Sequence, residues 1–110
     1  MTVAACVSLL ALLALTLLMA QVGVAIAGRH HAQSAADLAA LAAASELSAG
    51  TPAACARAAD ITRRMNVRLS ACTAAEWDVT IVVEARMALG PLGTREVRAQ
   101  ARAGPVADRE

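Results

Sequence analysis

The first charged side chain of the chain is Arg29, and the 28 residues before it are almost wholly apolar. Between Thr2 and Gly28 the polar side chains are Thr2, Ser8, Thr16 and Gln21, with Cys6 able to serve either environment. Val3 to Ala27 would make a helix about 37 Å long at the usual rise, enough to cross a bilayer with some tilt. Helical chemistry then continues without a turn. From Arg29 to Ser48 alanine and leucine dominate, and neither Pro nor Gly intervenes before Gly50. Arg29, Gln33 and Asp37 recur every four residues as a polar stripe. Ala35, Leu38, Ala39, Ala42 and Ala43 form a smooth strip on another side. One rod from about Val3 to Ser48 is expected, roughly 70 Å long, with a first half suited to lipid and a second half suited to protein.

"SAGTP", Ser48 to Pro52, ends that rod. Thr51 is placed to cap a second helix and Pro52 to occupy its first turn. Ala54, Ala58, Ile61 and Met65 share one face, and Asn66 suits the left-handed residue that closes a helix. The period then changes from 3.6 to 2. Val67, Leu69 and Ala71 alternate with Arg68, Ser70 and Cys72. Trp77, Val79, Ile81, Val83, Ala85 and Met87 alternate with Asp78, Thr80, Val82, Glu84 and Arg86. After the turn "GPLG", Val97, Ala99 and Ala101 alternate with Glu96, Arg98, Gln100 and Arg102. The pattern predicts an α+β fold in which helices cover one face of a small antiparallel sheet of about three strands. Its divisions are a transmembrane helix over 1–28, a helical extension over 29–50, a small α+β domain over 51–104 and a loose polar tail over 105–110.

The apolar run has two competing readings. Signal cleavage after Ala27 would use Ala25 and Ala27 as the small pair and release a soluble effector, but the run exceeds a usual signal core and has no basic residue before it. The "VAAC" of Val3 to Cys6 looks like a lipoprotein signal placed on the wrong side of its apolar core. Orientation is contested. Arg29 weakly favours a cytoplasmic C-terminal part, while paired cysteines favour the outside. A basic leader upstream of Met1 would reconcile the two.

Composition narrows the function classes. The formal charge is +1, all ten cations are Arg, and the aromatic content is one Trp, so neither a net field nor a stacking platform for nucleic acid is expected. His30 and His31 are adjacent on a helix, about 100° apart, and cannot chelate one ion together; they read as residues of the membrane edge. Ser34 lies four residues from His30 without an acid to orient it. Asp78 and Glu84 are about 20 Å apart along a strand, too far to act as a carboxylate pair. There is no glycine-rich phosphate loop. No catalytic residue, cofactor site or metal site is expected. Cys55 and Cys72 enclose a loop of 16 residues, and in an oxidising compartment they would form a disulfide worth about 3 kcal/mol by the chain-entropy estimate. Two unpaired buried thiols remain the alternative.

The segment "RHHAQSAADLAALAAA", Arg29 to Ala44, resembles the TadE-like proteins of actinobacteria, pilin-like neighbours of the TadE and TadF minor pilins of Flp (tight-adherence) pilus systems. The resemblance continues through Cys55, Asn66, Cys72, the "DVTIVV" strand from Asp78 and the ending "ARAGP". It implies a membrane-anchored structural subunit, held by lipid before assembly and partnered by other pilin-like subunits and Tad-type machinery. Its C-terminal domain would lie outside the inner membrane and could be carried into a pilus. Arg29, Gln33, Ala35, Asp37, Leu38, Ala39, Leu41 and Ala42 are the expected packing residues, with Leu38, Leu41 and the alanine strip docking the globular domain or a neighbour. The basic leader, processing site and helix glutamate of type IV pilins are not visible; Ala5 stands where that glutamate would be.

Overall fold

The computed structural model of the chain describes residues 1–105. Past Pro105, the tail expected over 105–110 lies outside the described residues. Helix α1 runs unbroken over Thr2–Ser45, as its alanine and leucine content dictates. It ends three residues earlier than the pattern suggested, because Leu47–Ala49 tighten into a 3-10 turn. Gly50, at φ 107°, reverses the chain. Gly50 rather than Thr51 caps helix α2 (Thr51–Arg64): its carbonyl accepts the Ala54 amide at 3.1 Å, and Thr51 is already helical. At the other end Asn66 takes φ 58° as expected. The Asn66 amide donates to Arg63 O at 3.2 Å and the Val67 amide to Thr62 O at 3.0 Å, the paired bonds of a Schellman closure.

Strands β1 (Arg68–Ala75), β2 (Asp78–Ala88) and β3 (Thr94–Ala103) form an antiparallel meander with β2 in the centre. Three differences from simple alternation matter. In β1 the register slips between Leu69 and Ala71, so Ser70 is an extra residue opposite Val82. That bulge inverts the phase and turns Cys72, expected on the outer face, toward the helices opposite Ile81. Trp77, expected as an inward strand residue, instead shares the two-residue β1–β2 turn with Glu76 and is 68% exposed. The β2–β3 connection is a 3-10 turn over Gly90–Leu92, with Gly90 and Gly93 at positive φ.

Both helices lie on one face of the sheet: α1 packs on α2, β2 and β3, and α2 on β1. The core is made of small side chains. Ala32, Ala35, Ala36, Ala39, Ala40 and Ala43 of α1 and Ala54 and Ala58 of α2 meet Val79, Ile81 and Val83 of β2. Alanine lets a helix approach closely, so the molecule is a thin blade, 72 × 35 × 16 Å.

Candidate functional site

The feature that most needs a partner is the first half of α1. Every residue from Met1 to Ala20 is exposed, including Leu9, Leu10, Leu12, Leu13, Leu15, Leu17 and Leu18. A continuous apolar surface of this kind on a soluble monomer would be far larger than the patches such proteins tolerate. Its best window is apolar and free enough of charge to cross a membrane by length and composition. The free cysteine, Cys6, is on this exposed stretch.

Packing against the domain begins at Gln21. Its side chain is half-buried beside the β2–β3 turn, and its Oε1 is shielded without a hydrogen-bond partner among the described residues. A Cβ on Gly90 would lie 3.8 Å from Gln21 Nε2, and one on Gly28 would overlap Met87 Sδ. Glycine at position 28 is what lets Met87 seat on the helix. Further up, the sequence-predicted packing residues separate into three groups. Ala35 and Ala39 are fully buried and Ala42 is half-buried, so they belong to the seam within the subunit. The seam is turned from the predicted strip, however. It is completed by Ala32, Ala36, Ala40 and Ala43, while Leu38 and Leu41 face outward at 51% and 63% exposure. These two leucines therefore lie outside the buried seam.

Arg29, Gln33 and Asp37 lie along the outer strand β3. Gln33 Nε2 donates to Gln100 O at 3.2 Å and to Asp37 Oδ1 at 3.1 Å, so the polar stripe covers part of that sheet edge. Arg29 lines a shallow depression with Gln33, Glu96 and Arg98. Sequence reasoning missed one contact here. His31 Nε2–H donates to Met65 O at 2.7 Å, tying α1 to the end of α2, although it was read only as a membrane-edge residue. Near the far end of the domain Leu41, Leu47, Trp77 and Pro105 line an open apolar depression.

Cys55 and Cys72 are joined by a disulfide, with their Cα atoms 5.9 Å apart. The bond fixes α2 to the edge strand β1. The outer sheet face is charged and internally paired: Arg68 with Glu84, Arg102 with Asp78, and Arg86 with Glu96 at 3.7 Å. Hydrogen bonding to Glu84, then its charge, raises the pKa of Arg68. The stability this lends is lost only as pH rises through the raised arginine value, so the Arg68 cation persists at any working pH. Asp78 and Glu84, expected to be too far apart to act together, are thus both engaged by arginines. No group of three or more His, Cys, Asp or Glu side chains that could hold a metal is found among the described residues.

Residues 1–46 match the Tad family, described as "Putative Flp pilus-assembly TadE/G-like". The chain is 53% identical over 51 residues to a Mycobacterium tuberculosis protein named "Apoptosis inhibitor Rv3654c". That similarity spans 46% of this chain and 61% of the relative. No solved structure matches.

Proposed function

From the match of residues 1–46 to the TadE/G-like family of Flp pilus assembly, we propose that the chain is a membrane-anchored, pilin-like structural subunit of a Flp-type pilus or a related secretion apparatus. The observation that carries this reading is the division of α1 at Gln21. Below it the helix is apolar and wholly exposed; from Gln21 upward it builds the domain. Val3 to Ala20 would span about 27 Å as a helix, within the range that crosses a hydrocarbon core. The domain, held by a disulfide that needs an oxidising environment, would lie outside the cytoplasm.

In this role the subunit performs no chemistry. Lipid solvates the apolar helix before assembly; neighbouring helices replace lipid afterwards, which costs little because both surroundings are apolar. Leu38 and Leu41, left outside the subunit's own seam, are the side chains available to contact a neighbour. Release by cleavage after Ala27 fits less well, since it would remove Gln21 from beneath the β2–β3 turn. Cell fractionation tests the proposal. The protein should resist carbonate extraction, co-purify with pilus components and leave the membrane only when the assembly ATPase is active. A soluble distribution that ignores the ATPase refutes it.

A further inference from the structure

The lower end of the domain and the upper end of the apolar helix lose their charges together. On α1 the first charge is Arg29, and none occurs before it. In the β2–β3 hairpin the last charges are Arg86 and Arg95, and the eight residues between them, "MALGPLGT", carry none. Met87 lies over Gly28 and Gly90 lies beside Gln21. The two uncharged stretches, more than 50 residues apart in sequence, therefore run side by side for about two helical turns, roughly 10 Å.

The tip is also suited to a place with little water. The Leu89 amide donates to Gly93 O at 2.8 Å, the Leu92 amide to Leu89 O at 3.3 Å and the Gly93 amide to Gly90 O at 3.1 Å. Pro91 has no amide hydrogen. The tip thus satisfies most of its own donors, which lowers the cost of bringing its backbone near hydrocarbon. At its end Leu92 is an apolar side chain left 70% exposed.

We propose that the β2–β3 tip is a second membrane contact, with Pro91 and Leu92 seated at the boundary between headgroups and hydrocarbon beside α1. The inference rests on the anchoring reading and adds a depth to it. If the hydrocarbon reached Arg29, the whole tip would be submerged with its remaining carbonyls. If it ends near Gln21, the tip meets the interface, Leu92 touches the acyl boundary, and Arg29, Arg86 and Arg95 come level with lipid phosphates. The second arrangement satisfies both charge boundaries at once. Lipid is favoured as occupant because the tip is continuous with the exposed apolar surface of the helix.

Depth-dependent quenching tests this on the full chain, with Cys6→Ser so that a single new thiol carries an environment-sensitive fluorophore. Leu92→Cys and Leu13→Cys forms would be reconstituted in vesicles of phosphatidylethanolamine and phosphatidylglycerol containing brominated lipids. The label at 92 should lose about half its emission to bromines near the carbonyl end of the chains, and the label at 13 should respond to bromines near the bilayer centre. Native Trp77, at the opposite end of β2, should be unaffected. Quenching at 13 without quenching at 92 overturns the tip contact and leaves anchoring intact. Absence of quenching at both overturns both. Pro91→Cys supplies a second reporter if Leu92→Cys loses its native circular dichroism, and it must report the same shallow depth.

Discussion

At the residue scale, alanine is the structural currency of this protein, and what matters is which alanine. Ala39 is fully buried against the sheet, while Leu41, two positions on, is 63% exposed. Ala39→Leu forces extra methylenes into a seam with no room and should cost about 1–3 kcal/mol. Leu41→Ala should change stability by less than about 0.5 kcal/mol. Thermal melts in detergent micelles would rank the two, and an equal effect would contradict the seam described here. The contrast also marks what the sequence could not reveal. Leu38 was read as part of the same strip as Ala35, Ala39, Ala42 and Ala43. Yet alanine on nearly every side of Arg29–Ala44 leaves the face to be chosen by the sheet, which accepts only the small side chains. Gln33 and Asp37 were legible as a stripe; their use, covering part of the edge of β3, depended on where that edge fell.

At the element scale, the helices and strands follow directly from the period of the apolar positions. Helix α1 needed only an uninterrupted run of helix formers, α2 closes where Asn66 offers a left-handed residue, and β2 alternates without fault. The failures are at phase breaks. Simple alternation through "VRLSAC" puts Cys72 on the wrong face, because a bulge leaves no mark in composition. Trp77 was assigned to a strand because it extends the alternation of β2 by one step, but the turn at Glu76 claimed it. The junction of α1 with the hairpin is testable in the same terms. Gly28→Leu should destabilise by about 1–3 kcal/mol by displacing Met87, and adding Met87→Ala should restore part of the loss in a double-mutant cycle. Additive effects would mean that the two residues do not meet.

At the scale of the whole molecule, the blade has two parts with different needs. Among the described residues burial along α1 begins at Gln21, and the first twenty residues are all exposed, outside the domain's buried packing. A chain starting at Ala20 should remain soluble and retain slow amide exchange in β2, the strand with the largest buried side chains, Val79, Ile81 and Val83. Loss of that protection would show that the apolar segment is required for folding. The α+β class, the long rod and the three-stranded sheet were all readable from the chain. The thinness of the molecule and the hairpin's descent alongside the apolar helix were not. They arise from distant segments meeting, and only the alignment of Met87 with Gly28 exposes them.

The bulge in β1 has a consequence for the tolerance of the gene to insertions and deletions. The strand carries one residue more than its ladder uses, since Leu69 pairs with Val83 and Ala71 with Val82. Deleting Ser70 would leave a regular ladder, with Cys72 still opposite Ile81 and still within reach of Cys55. Thiol titration of the purified deletion variant should therefore find only Cys6 reactive. A one-codon loss that would scramble most strands is here absorbed, while a one-codon gain at the same place would turn Cys72 toward the arginines and leave it free to link one subunit to another.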